Sequence, residues 1–426
     1  MSRWWKLGLT LSIALPALGA RIAGAHLQPV FAIAMFGGAV VASAFLLVWA
    51  AEAAHRDISG SLATAILAVI AVLPEYAVDL YFAWSAGHEP ANAQYAAANM
   101  TGSNRLLLGL GWPFVVLLFA WGLRKRGEKS RGVQLSAGRR IDLAFLGAAS
   151  LYSLIIPFTR RLAWYDAVVL LAVFAVYLWR AAQGERSEAE LVGVAQRIGD
   201  LPRRARRMVV AVLFVAAAGI ILAAAEPFAQ ALIESGRRLG IDEFLLVQWL
   251  APLASEAPEL LVAGVLALRG HEDAALGTLL SSKVNQWTLL VGSLPVAFMI
   301  GGGAATGIVL DARQTEEFIL TATQTLLGFA VLADLRLSIF EALALLALFA
   351  AQFPFPQPAV RLGFSAAYTV LAIALLVWRR RELPAIARAL PWRSREQPAE
   401  GRGEPLVGRG GGAGCRSSHL PRNEEA

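Results

Sequence analysis

The chain has 426 residues, of which 57% are hydrophobic and 16% charged, and its mean hydropathy is +0.57. Soluble domains carry about 25% charged residues, so this composition excludes an ordinary soluble globule and a disordered chain alike. The net charge of +7 comes from short basic runs set between long apolar stretches, a membrane-topology pattern rather than a nucleic-acid surface. The single cysteine, Cys415, excludes an internal disulfide framework, and 5 histidines without metal-ligand spacing argue against a zinc or copper site.

A helix needs about 20 apolar residues to cross a bilayer. Read against that length, the chain predicts spans at 5–25, 29–54, 60–86, 92–122, 141–159, 163–182, 208–234, 243–268, 273–300, 316–333, 338–353 and 360–378. The expectation is an all-α membrane protein of about 12 transmembrane helices. In the first span, Arg3 and Lys6 precede an apolar run ending at Ala23-Gly24-Ala25, and Pro16 and Arg21 interrupt it. A signal-anchor helix is favoured over a cleaved signal peptide.

Residues 1–28 then form the N-terminal helix, 29–182 a first half, 183–207 a polar link, 208–353 a second half, 354–378 an extra helix and 379–426 a disordered basic tail. Basic residues gather at Arg124-Lys125-Arg126, Arg139-Arg140, Arg203 to Arg207 and Arg379-Arg380-Arg381. Placing them on one side makes that side cytoplasmic, so the C-terminus is expected in the cytoplasm of a multi-pass protein of the plasma (inner) membrane.

The two halves repeat polar motifs. Leu73-Pro74-Glu75, Gly87-His88-Glu89 and Gly102-Ser103-Asn104 are echoed by Ala257-Pro258-Glu259, Gly270-His271-Glu272 and Ser281-Ser282-Lys283. Five predicted spans, an odd number, separate the helix at 60–86 from that at 243–268, so the repeats are expected to be inverted. Inverted repeats with Pro- or Gly-interrupted helices mark secondary transporters whose site lies at the midplane.

Acids inside membrane helices are costly and are functional candidates by default. Glu75 and Asp79 are spaced i, i+4, and Glu256 and Glu259 i, i+3, so each pair shares a helical face. Pro74, Pro252 and Pro258 deprive the carbonyls of Ile70, Gln248 and Ala254 of their helical donors. Freed carbonyls beside carboxylates suit a hard cation such as Ca²⁺, which takes about 6–8 oxygen ligands. The following helices add Asn99, Thr101, Ser103 and Asn104 in the first half, and Thr278, Ser281, Ser282, Asn285 and Gln286 in the second.

Lys283 stands in an apolar helix at the position matching Asn104. By charge its natural partners are Glu256 and Glu259, and its ammonium is expected to replace a bound monovalent cation. Arg105 is expected to snorkel or to pair with Asp79. Glu226, just before Pro227, reads as a further buried acid suited to a proton-linked gate, whereas His88 and His271 read as solvated turn residues.

These motifs resemble the calcium/cation antiporter superfamily, the sodium/calcium exchangers and their prokaryotic relatives, whose repeats look like G-T-S-x-P-E followed by G-N-x-x-G-S-N-x-x-N/D. The residues that carry the resemblance are Val72-Leu73-Pro74-Glu75, Asn99-Met100-Thr101-Gly102-Ser103-Asn104, Ser255-Glu256-Ala257-Pro258-Glu259 and Gly277-Thr278-Leu279-Leu280-Ser281-Ser282. The resemblance implies a core of about ten helices in two inverted five-helix repeats, an extra helix at each end, and alternating-access exchange of Ca²⁺ for Na⁺ or H⁺. By position, Glu75 and Glu259 look like the paired calcium-binding glutamates, and Ser103, Ser255 and Ser282 like hydroxyl ligands.

The chain departs from the pattern at Ala71-Val72, Leu107, Glu256, Lys283 and Gln286, where the family carries hydroxyl, amide or acidic side chains. That loss of presumed sodium ligands points toward proton coupling. A monovalent Na⁺/H⁺ antiporter on the same scaffold is the alternative. An intramembrane aspartyl protease is disfavoured because Asp79 is the only Asp among the four repeat-helix acids, and a scaffold has no reason to embed acids in the membrane. The expected partners are inorganic cations and the lipid bilayer, with no nucleic acid, no resident cofactor and no enzyme activity; the oligomeric state is open.

Overall fold

The computed structural model describes residues 4–25, 27–54, 56–57, 73–181, 191, 193–353, 355 and 357–390, except for the side chains of 73–75. The helices are α1 Trp4–Ile22, α2 Pro29–Ala54, α3 Leu73–His88, α4 Ala93–Leu106, α5 Trp112–Lys125, α6 Arg140–Ser153, α7 Ile156–Thr159 and α8 Trp164–Ala181. After them come α9 Gly193–Gly199, α10 Arg203–Leu239, α11 Glu243–Arg269, α12 Glu272–Asn285, α13 Val291–Ile300, α14 Ala312–Leu332, α15 Ile339–Ala350, α16 Pro358–Trp378 and α17 Leu383–Ala387. Among the described residues, seven helical stretches are long and apolar enough to cross a membrane.

Local chemistry sets several of these ends. Asp311 and Gln314 form a capping box that starts α14, and Ser338 and Glu341 do the same for α15, satisfying backbone donors the helices leave open. Helices α10 and α11 stop where Gly240 and Gly270 take left-handed backbone angles, φ 64° and 93°.

Two helical rods are each interrupted by one π turn. Leu107–Gly111 joins α4 to α5, and Gln286–Leu290 joins α12 to α13. The first opens three residues after Asn104 and the second three residues after Lys283, so the wider turn recurs at matching positions of the two halves. Such turns alter the hydrogen-bond register of a helix and are frequent at functional sites.

Strands tie the halves together. β1 Gly132–Gln134 pairs antiparallel with β4 Arg336–Ser338, and β2 Arg161–Leu162 with β3 Ile308–Val309. In the helical core, α10 and α1 both pack on α2, while α4 crosses α11 where Gly102 meets the Gln248 carbonyl. A Cβ at residue 102 would lie 1.7 Å from that oxygen, so only glycine permits the crossing.

Three expectations change. The predicted span 141–159 breaks after Ser153, and the chain restarts at the short α7 with Pro157 in its first turn. The polar link at 183–207 contains the helix α9, and α10 already begins within it at Arg203. The tail expected to be disordered from Arg379 is packed at its start: the Arg379 guanidinium is buried, donates to the carbonyls of Ala330 and Val331, and pairs with Glu341 and Asp334. Helix α17 continues it; residues 391–426 lie outside the described residues, as do 60–72 of the predicted span at 60–86.

Candidate cation site

Asp79 sits on α3 with no solvent exposure, and Asn99 of α4 lies beside it, also fully buried. Neither the two oxygens of Asp79 nor the amide of Asn99 completes a hydrogen bond among the described residues. Glu75 belongs to the first turn of α3, but its side chain lies outside the described residues. At the next residue, the Tyr76 hydroxyl donates to the Asn285 carbonyl at 3.4 Å, linking α3 to α12.

The second acid pair lies on α11. Glu256 is 1% exposed; its Oε1 accepts a 2.8 Å hydrogen bond from Gln286 at the opening of the second π turn, and its charged neighbours are Glu259 and Lys283. Its Oε2, the Gln286 Oε1 and the hydroxyl of the fully buried Ser103 have no hydrogen-bond partner among the described residues. Glu259 accepts from Ser282 at 2.7 Å. Ser255 instead turns back on its own helix, donating to the carbonyls of Ala251 and Pro252 at 3.2 and 3.3 Å.

Lys283 is completely buried. Its ammonium donates to the carbonyl and, at 2.9 Å, to the Oδ1 of Asn104, the residue it matches in the other half, and it stands 5.6 Å from the Trp287 ring centroid. Besides the expected electrostatic contact with Glu256, the lysine therefore bridges the two halves through a backbone oxygen and an amide, the acceptors a bound cation also seeks. Asn104 spends its amide nitrogen on the Met100 carbonyl at 2.9 Å, which leaves Oδ1 to face the lysine.

Other candidates sit elsewhere. Ser281 points to Asp142 of α6 at 3.4 Å, and Thr278 is exposed on the surface of α12. Glu226 is not a buried acid: its side chain is 38% exposed, pairs with Arg21 of α1 and accepts from Gln230. The charge that breaks the first span is therefore the partner of the acid beside Pro227, because each relieves the other at the same depth. Arg105 also differs from expectation, for its guanidinium pairs with Glu317 of α14 rather than with Asp79.

That pair belongs to a network that sequence reasoning missed. Glu317 also accepts from Gln248 at 3.0 Å; Gln248 reaches Thr101 at 3.3 Å; Gln352 accepts from Arg105 and donates to Tyr368. The Arg105 guanidinium lies 5.0 Å from the Trp249 ring. The signal available was Gln248 and Glu317 in otherwise apolar helices, but their partners come from four separate elements. Among the described residues no three of His, Cys, Asp and Glu form a metal-ligand cluster.

Buried acids, amides and a lysine gathered beside helix breaks define an ion-handling integral membrane protein. Comparison with known proteins gives the family. The profile described as "Sodium/calcium exchanger protein" matches residues 29–182 and 209–353, and the chain belongs to this exchanger family. It is 40% identical to a solved structure described as an H⁺/Ca²⁺ exchanger, CAX, over 91% of this chain and 98% of that one, with a TM-score of 0.86.

A second structure, native YfkE, shares the fold at 15% identity and a TM-score of 0.59, covering 86% of this chain and 99% of that one. A putative antiporter, CaxA of Alkalimonas amylolytica, is 29% identical over 132 residues, 31% of this chain, and the match spans 39% of that protein's length.

Proposed function

We propose that this protein is a secondary active antiporter that exchanges Ca²⁺ for H⁺ by alternating access, with two inverted five-helix repeats enclosing a midplane carboxylate site. The observation that carries this reading is the 40% identity to the H⁺/Ca²⁺ exchanger across nearly the full length of both chains. The recurrence of the π turns in matching positions supports the repeat. The departures from the sodium-ligand pattern at Leu107, Lys283 and Gln286 support protons over sodium as the counter-ion.

In this reading Glu75 and Glu259 hold the divalent ion, with Ser103, Ser282 and the amides of Asn99 and Gln286 as neutral oxygens. Asp79 and Glu256 supply further buried charge. Coupling follows from the chemistry of carboxylates: they bind Ca²⁺ only when deprotonated, so protons and the metal compete for the same oxygens. Lys283, tethered to Asn104, supplies a fixed positive charge in place of a bound monovalent cation.

The test is radiolabelled Ca²⁺ uptake into proteoliposomes under an imposed pH gradient and, separately, an imposed Na⁺ gradient. Uptake into acid-loaded vesicles is expected, with none driven by Na⁺ alone; uptake driven by Na⁺ alone overturns the proton assignment. The second reading, a monovalent cation antiporter, is favoured by the ammonium seated on Asn104, and absence of Ca²⁺ uptake under both gradients would select it.

A further inference from the structure

A groove of about 750 Å³ runs between α1 and α11, with α2 as its floor, and none of the acids described above lines it. Its walls are apolar, with Leu9 and Ile13 on one side and Leu261 and Val265 on the other, and each of these is at least 39% exposed. At one end stand two exposed cations, Lys6 in the first turn of α1 and Arg269 at the last turn of α11. Neither side chain has an acidic partner among the described residues. Trp5 and Trp49 also line the groove.

We propose that this groove binds one anionic phospholipid, the phosphate on Lys6 and Arg269 and an acyl chain along the apolar walls. The charge pattern commits to that occupant. A helix face within a membrane meets lipid rather than water, and a basic pocket between membrane helices at the interface attracts anionic headgroups. The geometry agrees with a chain entering from that face. Ile13 lies seven residues from Lys6, and Val262 seven from Arg269, so both walls descend about 10 Å from the cationic rim, two-thirds of the roughly 15 Å of hydrocarbon in one leaflet.

Tryptophan at the rim has the amphipathic character that favours the headgroup level. A second copy of the chain would have to bring an acid to neutralise two cations together; a phosphodiester brings the charge and the apolar chain in one molecule.

The experiment is native mass spectrometry of the full chain in mild detergent, titrated with phosphatidylglycerol and with phosphatidylcholine of identical acyl chains. One phosphatidylglycerol is expected to bind about thirtyfold more tightly than phosphatidylcholine, from about fivefold for each of the two cations at about 1 kcal/mol apiece. Lys6→Gln combined with Arg269→Gln should remove that preference while thermal unfolding in detergent stays unchanged.

Val41→Trp, which fills the groove beside α2, should weaken both lipids and leaves the cations in place, so the proposal remains testable even if the double variant fails to fold. Equal affinity for the two lipids, an unaltered preference in the double variant, displacement by acyl-free glycerophosphoglycerol, or a dimer that persists in place of bound lipid would each overturn it.

Discussion

Two buried polar clusters lie within a few helical turns of each other on α4 and α11, and they are built on opposite principles. Around Arg105 and Glu317, charge meets charge, and Gln248, Gln352, Thr101 and Tyr368 extend the pair into a hydrogen-bonded network that leaves the Arg105 Nε without a partner among the described residues. Around Asp79, Asn99, Ser103 and Glu256, polar atoms of equal burial are left without partners among the described residues. A satisfied network locks helices together, because removing any member strands the rest. An unsatisfied one is an energetic liability that a ligand relieves. On the proposed reading, the difference separates a structural device from the cation site.

The sharpest way to break the comparison is at the acids themselves. Glu259→Gln and Glu75→Gln should each abolish Ca²⁺ uptake in proteoliposomes, a loss of at least about a hundredfold for a lost direct charge contact of about 3 kcal/mol. Both variants should remain monodisperse in detergent; normal flux in both would remove the proposed site.

The next effect is the reverse in kind. Glu317→Ala leaves the Arg105 guanidinium buried and unpaired, which costs about 3–5 kcal/mol and should show as loss of folded protein after extraction. Replacing both, with Arg105→Met and Glu317→Leu, should restore most of the folded yield. If the double variant is as unstable as the single one, the network owes its role to something other than charge pairing.

Lys283→Asn sharpens the contrast from the ion side. With the ammonium gone and Asn104 Oδ1 released, Na⁺ should begin to stimulate or compete with Ca²⁺ flux, and an unchanged response to Na⁺ would count against the lysine as a cation substitute.

The smallest effect is at Asp57, beyond the end of α2, where Arg206 binds the carboxylate at 2.6 and 2.8 Å and Arg203 and Arg207 stand near. The hydrogen bonds from Arg206, aided by the three positive charges, hold that carboxyl below the usual carboxylate range. A carboxyl depressed in the folded state contributes stability above its unfolded value of about 3.9 and loses it as pH falls through and below that value. Asp57→Asn should therefore destabilise the protein by about 1–3 kcal/mol at neutral pH and flatten the acid limb of its stability profile below about pH 4, measured by thermal unfolding in detergent.

The sequence shows the helices well because hydropathy acts over single segments. The acids of α11 and the amides of α4 and α12 were legible for the same reason: a polar side chain in an apolar run stands out whatever surrounds it. Pairing was not legible. Arg105 meets Glu317 across 212 residues, Lys283 meets Asn104 across 179, and Arg21 meets Glu226 across 205, and no local pattern says which of several buried charges will face which. Likewise Ser281 and Ser282 are equivalent in type, yet one turns to Asp142 and the other to Glu259 because adjacent residues on a helix point about 100° apart.

The two small strand pairs set an order of events in the making of this protein. Gln134 finds its partner Arg336 at a separation of 202 residues, so the loop carrying β1 stays open until that far segment has been synthesised. At about 5–20 residues per second the wait is on the order of 10–40 s. Throughout that interval the first half stands in the membrane with its buried acids and the loop edge uncovered. Closure of the β1–β4 pair is thus a late, long-range step that follows synthesis of the second half.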